Sequence, residues 1–119
     1  MTGNNLGFLY CKTNRTKEAE EYYQETLEIR CRLAKENPEA HEGDFAMTCN
    51  NLGILYCKTN RTKEAEEYYQ EALEIRCRLA KENPETYAGD VAMTYNNLGN
   101  LYSDINRTKE AEMYYQEAL

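Results

Sequence analysis

The chain has 119 residues, 29% of them charged, and a formal net charge of −7. That length suits one domain, and the acidic balance argues against a nucleic-acid partner, which calls for clustered Lys and Arg facing phosphates. Apolar stretches run for only a few residues, short of a signal-peptide core or of a membrane span of about 20, so no membrane partner and a cytoplasmic location are expected.

Leu, Ile, Val and Phe are sparse for an ordered domain. The 11 tyrosines and an equal share of alanines make up the bulk, and they recur at a fixed interval, which favours order. The interval is 46 residues. Residues 4–49 and 50–95 align without a gap and differ at 7 positions, and residues 96–119 restart the same text with 5 differences. Met1-Thr2 returns as Met47-Thr48 and Met93-Thr94. Repeats of this length mean stacked units that cannot bury their apolar faces alone. We expect one array over 1–119 with repeats at about 1–46, 47–92 and 93–119, the last truncated.

In chain order, the first two helices are expected near 2–13 and 16–36, as copies of a pair that reads clearly in the second repeat. There Phe45, Thr48/Cys49, Leu52, Leu55/Tyr56 and Thr59 step by three and four, giving a helix over 44–59. Asn60-Arg61-Thr62 breaks it: Asn60 suits a left-handed helix end, Thr62 an N-cap, and Glu64 and Glu66 favour the positive end of the next helix. That helix, 62–82, continues through Ala65, Tyr68/Tyr69, Ala72/Leu73, Ile75 and Leu79/Ala80. Asn83-Pro84 stops it, and Gly89-Asp90 reads as a loop and cap before helices at 90–105 and 108–119.

The five cysteines, Cys11, Cys31, Cys49, Cys57 and Cys77, form no CxxC pair and read as buried apolar residues in a reducing compartment. Asn14, Asn60 and Asn106 open Asn-Arg-Thr triplets, formally glycosylation acceptors, but the turn accounts for both Asn and Thr.

The second copy reads Cys49-x-x-Leu52-Gly53-x-x-Tyr56, then Ala65-x-x-x-Tyr69 and Ala72, and so resembles the tetratricopeptide repeat; Leu6, Gly7, Tyr10, Ala19 and Tyr23, and Leu98, Gly99, Tyr102, Ala111, Tyr115 and Ala118, repeat the match. Gly53 and Ala65 let helix backbones approach, and Tyr56 and Tyr69 fill the space beside them. The family's first bulky residue is Gly3, Cys49 or Tyr95 here, and its terminal proline is replaced by Cys31 and Cys77, so the second helix runs on to Asn37 or Asn83. The long repeat is similar to the variety in kinesin light chains and microbial arrays. The resemblance implies an all-α, right-handed superhelical solenoid of three helix-turn-helix repeats, six antiparallel helices in all.

It also implies a concave groove lined by the first helix of each repeat. The candidate peptide-binding residues are Asn4, Asn5, Phe8 and Lys12, then Asn50, Asn51, Ile54 and Lys58, then Asn96, Asn97, Asn100 and Asp104, with Cys11, Met47, Cys57, Met93 and Ser103 alongside. Asn5, Asn51 and Asn97 would form a ladder whose amides both donate to and accept from an extended peptide backbone; the same amides could instead satisfy neighbouring helices. The family's clamp for acidic chaperone tails needs Lys and Arg where this chain has Asn4, Phe8, Met93 and Asn97, so that ligand class is not expected.

No catalytic site is legible. His41 is matched by Tyr87 and falls in an expected loop, no glycine-rich phosphate loop is present, and Glu18, Glu20, Glu21, Glu25 and Glu28 read as a solvated face beside Lys17, Arg30 and Arg32. Neither a cofactor nor a metal is expected. Two functions remain: a scaffold that binds a protein or extended peptide, or a structural, self-assembling array, engineered or excised, without a dedicated ligand. For the latter, Tyr114, Tyr115, Ala118 and Leu119, and Leu6, Leu9 and Tyr10, are expected to leave apolar surface at the two ends, open to head-to-tail contact or helix exchange.

Overall fold

The computed structural model describes residues 16–104 and 108–118, apart from the side chains of 104 and 108–111. They form five helices: α1 Thr16–Glu36, α2 Pro38–Lys58, α3 Thr62–Glu82, α4 Pro84–Asp104 and α5 Thr108–Ala118. Each packs against its neighbours in the chain, and α2 also touches α4. The helix expected at 2–13 lies outside the described residues.

The turn between α2 and α3 forms as its residues dictate. Asn60 has φ 62°, the one non-glycine residue with positive φ among those described. The Arg61 amide donates to the Tyr56 carbonyl (2.8 Å) and the Asn60 amide to that of Cys57 (3.3 Å), which closes the helix end in a Schellman motif. Thr62 is the first helical residue, not the cap. Arg61 occupies the cap position without a side-chain hydrogen bond, and its guanidinium instead pairs with Glu64 at 3.1 Å.

The loops expected before residues 44 and 90 do not exist. α2 begins at Pro38 and α4 at Pro84, so a single asparagine, Asn37 or Asn83, separates consecutive helices. Proline lacks an N–H, but the first helical N–H groups have no partner in any helix, and its fixed φ starts the turn. Asn37 and Asn83, held out of the α region by the proline that follows, take φ −146° and −143°. Gly43 and Gly89 therefore lie inside helices, as does His41.

Gly53 and Gly99 have the opposite role. A Cβ on Gly53 would stand 2.5 Å from the ring of Tyr69, and one on Gly99 2.6 Å from that of Tyr115. The tyrosine of the second helix thus lies flat on the backbone of the first. Around this approach Leu52, Leu55, Tyr56, Ala65, Tyr69, Leu98, Leu101 and Tyr102 form the main core, and Ala46, Ile75 and Leu79 a second cluster towards the far end of the long helices.

Two polar devices recur at both described repeat junctions. Arg30 donates to Thr48 Oγ1 at 3.0 Å, and Arg76 to Thr94 Oγ1 at 3.0 Å; each threonine in turn donates to a carbonyl one turn back. Burial pushes the Arg76 guanidinium below its usual pKa, while nearby Asp90 opposes that. The second device is built from tyrosines. Tyr56 Oη donates to Glu20 at 2.7 Å, and Gln24 donates to Tyr56 at 2.8 Å and to Tyr68 at 3.3 Å. Arg61 also pairs with Glu20 at 2.9 Å and lies 4.3 Å over the Tyr56 ring. One repeat later Tyr102 donates to Glu66, and Gln70 donates to Tyr114 at 2.9 Å.

Candidate peptide-binding groove

The candidate groove residues that lie within the described part of the chain fall on α2 and α4, which touch one another. Positions 47, 51, 54 and 58 share one stripe of α2, and 93, 97, 100 and 104 the equivalent stripe of α4. Met47 is 37% exposed and Met93 44%. Few large apolar side chains in the described residues are as open, and these two occupy the same place in successive repeats.

The asparagines divide by role. Asn50 is buried; its amide donates to Met93 Sδ at 3.8 Å, and its carbonyl accepts from Asn97 Nδ2 at 3.0 Å. Asn97 therefore pairs with Asn50 rather than Asn51, an offset of 47 residues instead of the repeat length. Asn51 is half-buried, and its side-chain amide has no partner among the described residues. Asn96 is exposed, and Asn100 accepts a 2.6 Å hydrogen bond from Tyr115 Oη. Ile54 is half-buried against the main core, and Lys58 is exposed. Asn4, Asn5, Phe8 and Lys12, and the side chain of Asp104, lie outside the described residues.

A concavity that the sequence reading did not single out lies between α1 and α3, with Phe45 of α2 at its edge. It measures about 580 Å³ and is lined by residues including Leu27, Cys31, Phe45 and Tyr68, with charged Arg32 and Glu71 beside them. Its lining mixes positions that the repeat keeps, such as Leu27 and Cys31, with one that it changes, Phe45 to Val91, so the repeat pattern did not mark it.

The cysteines depart in part from expectation. Cys49 is fully buried, and burial, with Glu71 nearby, pushes its thiol up to about 12, so it is unreactive. Cys31, Cys57 and Cys77 are only half-buried, and no disulfide forms among the described residues; Cys11 lies outside them. Among the described residues no three His, Cys, Asp or Glu side chains are grouped to hold a metal, and no helix is long and apolar enough to cross a membrane.

An array of paired helices in which the described first helices, α2 and α4, touch one another defines a repeat scaffold. The sequence pattern of the tetratricopeptide repeat family matches residues 2–78 and 44–119, and the chain belongs to that family, whose repeats are generally non-catalytic protein-interaction scaffolds. BtubC (BKLC) from P. vanneervenii has a similar solved structure, with a TM-score of 0.84 and 30% identity over 98% of this chain. The chain spans 43% of that protein's length. No curated protein matches the chain.

Proposed function

We propose that the chain binds an extended peptide with apolar side chains along the α2–α4 face. The observation that carries this reading is the pair Met47 and Met93, exposed at equivalent places one repeat apart. Methionine is flexible and polarizable, and suits surfaces that accept varied apolar side chains. Beside them the Asn51 amide is available to a peptide backbone, as is the Asn97 carbonyl, which accepts no hydrogen bond within the described residues. Asn50 has a different part: buried, it ties α2 to α4 through Met93 and Asn97.

Selection of a displayed random-peptide library on the immobilised chain tests the reading, with the Met47→Glu/Met93→Glu variant as counter-selection. Enriched peptides with regularly spaced apolar residues that lose binding to this variant, and to Asn51→Ala, are the expected result. Peptides that bind the variant equally well would place the site elsewhere, and failure to enrich any would remove the proposal.

A further inference from the structure

Phe45 and Cys49 of α2 become Val91 and Tyr95 on α4, so the large ring moves one turn along the helix from one repeat junction to the next. Tyr95 is half-buried: its ring lies against that of Tyr114 at 5.9 Å between centres, and its hydroxyl is 3.9 Å from the Cys77 sulfur. Tyr114 and Cys77 are the counterparts of Tyr68 and Cys31, which line the concavity of about 580 Å³ between α1 and α3. The side chain of Tyr95 therefore occupies, at the second junction, space that is open at the first. The rest of the lining agrees. Around Tyr95 the counterparts fall into two separate concavities that share Cys77, one reaching Leu73 and Glu74, the other Lys81, Val91 and Glu117. At the first junction a single continuous space joins Leu27, Cys31, Lys35 and Phe45, while Cys49, in the place of Tyr95, is fully buried. Its walls come from three consecutive helices, α1 to α3, so the space belongs to the junction itself.

We infer that this concavity binds a small, uncharged, para-substituted phenol, whose ring takes the place that Tyr95 fills one repeat later. Leu27, Phe45 and Tyr68 supply the apolar and aromatic surface, and Tyr68 meets the ring as Tyr114 meets that of Tyr95. The phenol hydroxyl approaches the Cys31 thiol, a weak donor and acceptor, as the Tyr95 hydroxyl approaches Cys77. The charged residues of the lining, Glu28, Arg32, Lys35 and Glu71, are all exposed and balance in sign, so they give no preference to an ionic ligand. A space of this size matches sites that bury a small molecule. It shares no residue with the methionine groove on α2 and α4, so each site stands or falls without the other.

Saturation-transfer NMR and titration calorimetry with p-cresol, the tyrosine side chain freed from its backbone and neutral at pH 7, test this. The wild-type chain takes up a single molecule. Phe45→Val/Cys49→Tyr copies the second junction into the first and supplies the ring from within, so p-cresol binding is lost while circular dichroism and melting remain those of a folded array. Val91→Phe/Tyr95→Cys does the reverse, opens the second junction and doubles the stoichiometry; if the first variant fails to fold, this one decides. A wild-type chain that takes up no p-cresol overturns the inference. So does uptake that folded Phe45→Val/Cys49→Tyr leaves unchanged, or a Val91→Phe/Tyr95→Cys chain that gains no second site. Binding of N-acetyltyrosinamide without binding of p-cresol would make the occupant a tyrosine of a peptide and would equally overturn it.

Discussion

A methyl group at Gly53 would meet the Tyr69 ring at 2.5 Å, and the same methyl at Gly89 would meet nothing within 4 Å. Both glycines lie inside 21-residue helices, so alanine's better helix propensity, about 0.5–1 kcal/mol, acts at both. Only at Gly53 does packing override it. Tyr69 is buried and walled in by Leu52, Leu55 and Ala65, so the ring cannot move away cheaply, and overpacking of this kind costs about 1–3 kcal/mol. Gly53→Ala should therefore lower the denaturant midpoint and Gly89→Ala raise it slightly. Equal effects of the two substitutions would show that the tyrosine does not rest on the Gly53 backbone. The sequence already indicated that Gly53 is small for closeness, because a tyrosine follows it at a fixed spacing in each copy. It gave no such hint for Gly89, whose place beside Asp90 looked like a loop.

At the scale of the element, the two helix connections are opposites. The α2–α3 turn depends on Asn60, whose φ of 62° a β-branched side chain resists by roughly 1–2 kcal/mol. Asn60→Val should lose about that much stability and Asn60→Gly little or none, as read from thermal melts. If valine proved as good as glycine, the turn would not hold the left-handed residue. This turn was legible because its chemistry is local. The Asn83-Pro84 junction was half legible: the end of α3 was evident, but proline's suitability as a first helical residue was hidden behind a glycine that resembled a loop. The Asn50–Asn97 bond was not legible, since it links neighbouring helices one residue out of register with the repeat, and no property of either asparagine announces which of its neighbours it will meet.

For the whole molecule, the tyrosine junctions tie stability to alkaline pH. Burial, reinforced by its bond to Glu20, pushes the Tyr56 hydroxyl up to about 12 from an ordinary 10.0. Burial raises Tyr69 and Tyr102 as well. The unfolded chain releases these protons near pH 10 and the folded chain resists doing so. Their contribution is therefore complete below pH 10 and is lost as pH climbs towards 12. Ultraviolet titration of tyrosinate, followed together with helicity, should show one class of tyrosines ionising only as the helices melt. Ionisation of all of them near pH 10 with helicity intact would contradict the burial described here. The order of packing bears on a different property. Because α1 to α5 touch chiefly their neighbours in sequence, few contacts require distant parts of the chain to find one another. Little loop-closure entropy stands between the unfolded chain and its first native contacts, and helical topologies of this kind fold on the order of microseconds to milliseconds. Folding can therefore start at any of these helix pairs and spread outward one helix at a time.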